Sequence, residues 1–395
     1  MLIKELSEFL KKQFSRQLLC DKNSLAKLRV NPFAQKQLLV QIAKIRGMIS
    51  NPRILTAFLR AYLRIYANKI IRDGRTGSVV MEITKHCNQK CRYCYSKSEQ
   101  CKKMNGKTIK EILKLVRGNY KHIFITGGEP TLDKRVLTIA KQNPDIMFFM
   151  FTNGAPINQA YVKKLTKVGN LIPILSIDGI SSKQHDYFKG QGSFRQVMQA
   201  IKLLTAFGIP WGYLSMVTNL NAREVLSKKF VKVMKRKGAI LARYLEFIPV
   251  GPAATAKLVP TAETYYLMEK RKQEIIKNHE IYMQETVQKK CSGLVFFDVD
   301  GNIKCCPFFH YHKHNVSEGN LNALVRDSIQ DWCSAQYFGE CPVYSDQIKF
   351  KHHLQARLWQ PTASCNQGNS ITPQLAKTMS DNYLAFLKLK TKRGF

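Results

Sequence analysis

The stretch SVVMEITKHCNQKCRYCYS, residues 78–96, decides how the rest of the chain is read. Five of its first seven residues (Val79, Val80, Met81, Ile83 and Thr84) are β-branched or apolar, the composition of a buried strand. The loop that follows carries Cys87, Cys91 and Cys94, separated by three and two residues. So short a loop can wrap three thiolates around one centre. Iron–sulfur clusters are held by thiolates, normally four, so three close ligands leave one iron open to a further molecule. A structural zinc site is the rival. It needs four ligands closed into a tetrahedron, and His86 or Cys101 stands close enough in sequence to complete it.

Outward from this loop the chain alternates short β-rich runs with helical stretches. Strands are expected at 78–84, 122–126, 146–152, 171–177, 211–217 and 242–248, with helices at 106–117, 158–168, 193–207 and 222–237 between them. Alternation of this kind implies parallel strands joined by right-handed crossovers. The expected fold class is therefore α/β, a partial (β/α)6 barrel. In such a barrel the working residues sit at the C-terminal ends of strands. Those ends carry Gly127-Gly128-Glu129-Pro130, Thr152-Asn153-Gly154, Ser176-Ile177-Asp178-Gly179, Thr218-Asn219 and Pro249-Val250-Gly251-Pro252. Small and polar residues thus converge on one mouth. Glycines there permit close approach of a ligand to the backbone, and Glu129 supplies a carboxylate for a cationic group.

With these motifs in place the sequence resembles the radical SAM superfamily over about residues 78–250. The three cysteines have its spacing, an aromatic residue (Tyr93) precedes the last, and Gly127–Pro130 matches its glycine-rich motif. The resemblance implies a [4Fe–4S] cluster on Cys87, Cys91 and Cys94, with S-adenosylmethionine chelating the fourth iron. One electron from the cluster would cleave that cofactor to methionine and a 5′-deoxyadenosyl radical. Gly127, Gly128 and Glu129 would meet the methionine amino group, Tyr93 the adenine, Ser176 and Asp178 the ribose or methionine, and Val250 and Gly251 the adenine. No catalytic side chain for the substrate step stands out.

A second group of cysteines lies farther on. Cys291, nine residues, Gly301, four residues and Cys306 resemble the opening hairpin of the SPASM and twitch extensions, with Asp300–Gly301 as the turn. The resemblance implies one auxiliary [4Fe–4S] cluster on Cys291, Cys306, Cys333 and Cys341, with Cys305 as a substitute for its neighbour. A zinc knuckle or buried thiols remain the alternatives. His310, His312 and His314 alternate as strand-surface residues, and Cys20 and Cys101 are expected to be non-ligands.

The expected organisation is a basic helical segment (1–77), the core barrel (78–285), the auxiliary-cluster region (286–345) and a tail without clear pattern (346–395). At 395 residues and 45% hydrophobic composition the chain can bury a large core without disulfides. Disorder and fibrous classes are excluded. Eleven cysteines, odd in number and clustered, point to metal and a reducing cytoplasm, and the N-terminus lacks the apolar run of a secretory signal.

Lys and Arg total 63 against 27 Asp and Glu, a net charge of +36. Such a field attracts anions. From Arg53 to Arg72, Leu55, Phe58, Leu59, Tyr62, Leu63, Tyr66 and Ile70 fall at helical spacing among Arg60, Arg64 and Lys69. This amphipathic segment either packs on the protein or lies on an anionic bilayer. Three readings of function follow. The first is modification of a peptide or protein side chain, and the second is the same chemistry on a lipid-linked or amphiphilic substrate at the inner face of a membrane. The third is a zinc-containing nucleic-acid-binding protein, which the absence of a compact basic–aromatic reading surface disfavours. Either enzyme needs a reductant protein such as flavodoxin or ferredoxin.

Overall fold

The computed structural model describes residues 78–96, 101–120, 122–250, 255–278, 281–283, 294–308, 310–334, 356–361 and 373–393. The amphipathic segment 53–72 lies outside them.

Six parallel strands follow one another through the sheet: β1 (Ser78–Thr84), β2 (His122–Gly127), β3 (Met147–Thr152), β4 (Leu171–Ser176), β5 (Trp211–Val217) and β6 (Ala239–Glu246). The helices between them are α1 (Gly106–Asn119), α2 (Arg135–Gln142), α3 (Gln159–Leu165), α4 (Ser182–Lys189), α5 (Ser193–Ala206), α6 (Ala222–Val225) and α7 (Lys228–Arg236). The apolar positions dictate how they pack. On α1, Ile109, Ile112, Leu113 and Val116 recur at three- and four-residue steps, and all are buried. Burying a side chain of that size contributes about 1.5–3 kcal/mol. Asn105 caps this helix by accepting from the Lys107 N–H.

The sheet curls. The Arg243 guanidinium, on β6, lies 4.8 Å from the Phe124 ring centroid on β2 and 5.4 Å from that of Phe151 on β3. Three strands separate β6 from β2 in the sheet order, so the arginine reaches across a concave face. This is the partial barrel that the alternation implied.

Several boundaries differ from the sequence expectation, two of them for reasons visible in the chain. Strand β6 begins at Ala239 rather than 242, because Gly238 (φ 101°) ends α7 and the chain enters the sheet at once. The helix expected at 222–237 is two helices, broken where Ser227 starts α7 by accepting from the Phe230 N–H.

Beyond β6, α8 (Ala262–Lys277) leads to the short β7 (Tyr282–Met283), which extends the sheet beside β6. The hairpin β8 (Leu294–Phe297) and β9 (Asn302–Lys304) joins the opposite side. Strand β8 runs parallel to β1, with Ser78 opposite Leu294 and Met81 opposite Phe297. Its turn is held by Asp298, whose carboxylate accepts from the Asp300 and Asn302 N–H groups, and Gly301 adopts φ 85°. The short β10 (Tyr311–His312) and β11 (His314–Asn315) then lead to α9 (Leu321–Ser334), and β12 (Gln360–Pro361) pairs with β10.

The tail also departs from expectation. It contains a 20-residue helix, α10 (Pro373–Lys392), whose Ala376, Met379 and Phe386 are buried. Tyr383 and Phe386 pack against Tyr265 of α8 at ring distances of 5.6 and 5.9 Å. No described helix is long and apolar enough to cross a membrane.

Candidate active site

The cysteine loop leaves the C-terminal end of β1 and is stitched to the glycine motif at the end of β2. The Gly128 N–H donates to Thr84 O at 2.7 Å, and the Glu129 N–H to His86 O at 2.8 Å. The glycines are required by packing. A Cβ on Gly128 would lie 2.3 Å from His86 O and 2.5 Å from Lys85 O, and one on Gly127 would lie 2.4 Å from Thr84 O. The motif thus fixes the backbone that delivers Cys87.

Glu129 is buried and fully engaged. Its Oε1 accepts from the Thr131 N–H (3.1 Å), Thr131 Oγ1 (2.5 Å) and Thr152 Oγ1 (2.6 Å), and its Oε2 from the Asn153 N–H (2.7 Å). Burial raises its pKa, and these donors oppose the rise. The carboxylate therefore joins the ends of β2 and β3.

Within the loop, Cys87 Sγ accepts from the Gln89 N–H at 3.4 Å, and the Cys94 N–H donates to Cys91 O at 3.4 Å. The three thiols are half-buried and lie within electrostatic reach of one another. Burial, helped by Glu129, Cys91 and Cys94, pushes the Cys87 thiol up to about 11 against the Gln89 hydrogen bond. Burial, then Cys91, also raises Cys94. Iron binding is what would hold such thiols as thiolates. Among the described residues no three potential ligands close on one point at single-ion distance. A cubane does not ask for that, since each thiolate meets its own iron. Three thiol donors on one glycine-braced loop fit an iron–sulfur centre. His86 and Cys101, the candidates for closing a zinc site, instead pair with each other at the surface, Nδ1 to Sγ 3.2 Å.

Tyr93 turns inward and is buried. Its hydroxyl donates to Asp178, and its ring packs against Phe188 (5.4 Å) and Phe247 (6.3 Å). Val250 belongs to the same apolar cluster, with Met216, Ile248 and Met379, whereas Gly251 lies outside the described residues. Asp178 also accepts from the Met216 N–H at 2.8 Å and pairs with Lys189 Nζ at 3.3 Å. Lys189 was not singled out in the sequence; its Nζ lies 5.0 Å from the Tyr93 centroid. Burial disfavours its charge, but Asp178 and the Cys91 and Cys94 thiols prevail and hold its pKa high. Ser176 ends β4, half-buried, opposite Leu214 in the sheet register.

A second polar centre, also unforeseen, is Glu82. This buried carboxylate on β1 accepts from Lys85 Nζ (2.8 Å), Ser96 Oγ (2.7 Å) and the Val299 N–H (3.3 Å). It ties the end of the cysteine loop to the turn of the β8–β9 hairpin.

That hairpin ends in Cys305 and Cys306, both buried. Cys305 Sγ faces α9, 3.5 Å from Ser328 O. Cys306 lies within electrostatic reach of Lys304 and Tyr95. Tyr95 follows Cys94 in the first loop and packs edge-on against Phe308 at 5.0 Å, so an aromatic contact joins the two cysteine regions. Cys291 and Cys341 lie outside the described residues, as do Cys20 and Cys365, and Cys333 lies near the end of α9.

The three histidines are not alike. His314 pairs with Asp327 and Glu318 at the surface, and His312 is half-buried. His310 is buried rather than exposed. Burial first, then Lys304 and Lys85, brings its pKa down to about 2 and keeps it neutral.

Residues 81–227 match the family model for the Radical SAM superfamily. Over that stretch, which is under half of the chain, the sequence is similar to radical SAM domains. Among named relatives, the sporulation killing factor maturation protein SkfB of Bacillus subtilis is 27% identical over 232 residues, covering 57% of this chain and 51% of SkfB. An AdoMet-dependent heme synthase of Methanosarcina barkeri is 27% identical over 180 residues, covering 44% of this chain and 51% of the synthase. The chain spans about half the length of these curated relatives. Among solved structures, Streptococcus suis SuiB superposes with TM-score 0.56 at 16% identity over 85% of this chain and 79% of SuiB. SuiB bound to its precursor peptide SuiA superposes with TM-score 0.51 at 16% identity over 63% and 64%. These superpositions speak to the fold.

Proposed function

We propose that the protein reductively cleaves S-adenosylmethionine and uses the resulting radical to abstract hydrogen from a peptide or protein side chain. The observation that carries this is the cysteine loop itself, three partly desolvated thiols braced by Gly127–Glu129 at the mouth of a partial barrel. When bound there by Cys87, Cys91 and Cys94, a [4Fe–4S] centre supplies the electron that splits the cofactor into methionine and a 5′-deoxyadenosyl radical. The protein's own residues do the rest. Gly127 and Gly128 hold the loop backbone, and Glu129 locks the adjoining strand ends. Tyr93, Asp178 and Lys189 form a buried phenol–carboxylate–ammonium group beside the thiols, suited to fixing a polar cofactor. The apolar wall of Phe188, Met216, Phe247 and Val250 excludes water that would quench a radical.

The peptide reading draws support from SkfB, a maturation protein, and from SuiB, which binds a precursor peptide. The buried Cys306, with Cys305 turned toward Ser328, supports one auxiliary [4Fe–4S] cluster on Cys291, Cys306, Cys333 and Cys341. Nothing among the described residues favours a membrane substrate.

The test is formation of 5′-deoxyadenosine by the anaerobic, iron-reconstituted protein supplied with peptide, lipid or tetrapyrrole fractions of host extract. Stimulation by the peptide fraction, lost on protease treatment, is the expected result. Stimulation by either of the others alone would overturn the peptide assignment.

A further inference from the structure

A groove of about 630 Å³ lies between the cysteine loop and α4. Lys90 and Arg92 line it from the loop; Ser182, Lys183, Tyr187 and Gly190 line it from α4 and the turn after it. Lys90, Arg92 and Lys183 are exposed. Among the described residues, neither Lys90 nor Lys183 forms an ion pair. Asp186 also borders the groove, but its carboxylate is engaged by the Gly192 N–H (2.9 Å), Ser193 Oγ (3.0 Å) and the Phe194 N–H (2.7 Å). The face is therefore cationic, and the first turn of α4 adds the positive end of a helix dipole to it.

The face is also rigidly tied to the thiols. The Arg92 Nε–H donates to Tyr187 O at 2.6 Å, its backbone N–H donates to Phe188 O at 2.9 Å, and its guanidinium lies 4.6 Å from the Tyr187 centroid. Tyr187 is 42% exposed beside it. Lys90 and Arg92 immediately flank Cys91 in the sequence, so a protein seated in the groove meets the residues on either side of that thiol. Tyr93, between the same cysteines, turns the other way, into the apolar wall.

We propose that this groove is the docking site of an acidic one-electron donor protein, a low-potential flavoprotein or ferredoxin. This rests on the iron–sulfur reading of Cys87, Cys91 and Cys94. The donor loses one electron and is oxidised, the centre on the three cysteines gains it, and no proton or group moves. The surface suits such a partner because redox encounters are small, polar and transient, with interfaces below about 1,200 Å². Charge complementarity raises their association rates about 10- to 1,000-fold at low salt. The net charge of +36 steers the same partner from a distance.

The test uses the full-length reconstituted protein, its Lys90→Glu/Lys183→Glu variant and a flavodoxin as acidic probe. Binding of oxidised flavodoxin, read by its flavin fluorescence, reports the surface without any need for the cluster. Stopped-flow bleaching of the cluster by reduced flavodoxin reports electron delivery, and dithionite serves as a small reductant that needs no docking. The double variant should bind flavodoxin and accept its electrons at least about tenfold more weakly at low ionic strength, with the difference shrinking as salt is added. Its iron content and dithionite bleaching should match the wild type. Unchanged flavodoxin binding would overturn the proposal, as would a defect confined to the KM of a peptide substrate. Wild-type protein that binds flavodoxin at this face yet shows no iron–sulfur absorbance would instead refute the cluster reading.

Discussion

Replacing Gly128 by alanine isolates the role assigned to the glycine motif. The added Cβ would sit 2.3 Å from His86 O, 2.5 Å from Lys85 O and 2.6 Å from His86 C. All three are backbone atoms, so no side-chain rotation relieves the clash. Separations below 3.0 Å essentially do not occur for real Cβ atoms, so one strand end must retreat by at least 0.7 Å. That movement strains both bonds between the motif and the loop, Gly128 N–H to Thr84 O and Glu129 N–H to His86 O. Overpacking of a tight site costs about 1–3 kcal/mol. Each hydrogen bond weakened in a buried setting costs about 1 kcal/mol more. The expected loss is therefore about 3–5 kcal/mol. Urea denaturation reads it directly. Iron stoichiometry after anaerobic reconstitution reads the displacement of Cys87, the residue next to His86. Gly106→Ala is the matched control, because no atom lies within 4 Å of its Cβ position and it opens α1. It should be neutral or stabilising by up to about 1 kcal/mol. If Gly128→Ala is as stable as that control and loads iron like the wild type, the bracing argument is wrong.

Other outcomes follow from particular contacts. Lys189→Met removes the cation beside Asp178, a carboxylate with no solvent exposure; it should cost about 3–5 kcal/mol, and a change under 1 kcal/mol in denaturation would refute the pairing. Asp186→Ala removes a cap from the start of α5 and should cost about 1–2 kcal/mol. Burial pushes the Asp186 pKa up, but the Phe194 and Gly192 N–H groups prevail and hold it below its ordinary value. Its contribution is then present above about pH 4 and lost as pH falls through the folded pKa, so the variant's stability deficit should vanish in acid. A deficit that grew toward low pH would contradict this. Cys101→Ser should leave iron content unchanged, whereas Cys91→Ala should abolish cleavage of S-adenosylmethionine; iron loss in the former would restore Cys101 as a ligand.

Much of this architecture was legible because its signals are local. A short β-branched run such as SVVMEIT between turn signals reads as a strand, and the three-cysteine loop points to an iron–sulfur centre once it is read with the Gly127–Pro130 motif at the next strand end. The sites of Tyr93, Asp178 and Val250 were readable as strand-end positions, and the fold brings them together. What escaped was set by contacts distant in sequence. Lys189 is one lysine among many until α4 folds it beneath Tyr93. Glu82 looks like a lone charge in an apolar strand until Ser96 and Val299 close over it. His310 reads as a surface residue by alternation, yet it is buried. The helix α10, which packs through Ala376, Met379, Tyr383 and Phe386, also escaped: the tail showed no clear pattern. Its partner, Tyr265, lies over a hundred residues away, and without it that stripe has nothing to pack on.

The electron paramagnetic resonance spectrum of the reduced, iron-reconstituted Cys306→Ala protein, recorded before and after addition of S-adenosylmethionine, tests the central claim most directly. This variant leaves the first loop intact. The account predicts one remaining cluster whose signal shifts when the cofactor binds, and loss of that signal when Cys91 is also replaced. A spectrum indifferent to the cofactor would contradict it.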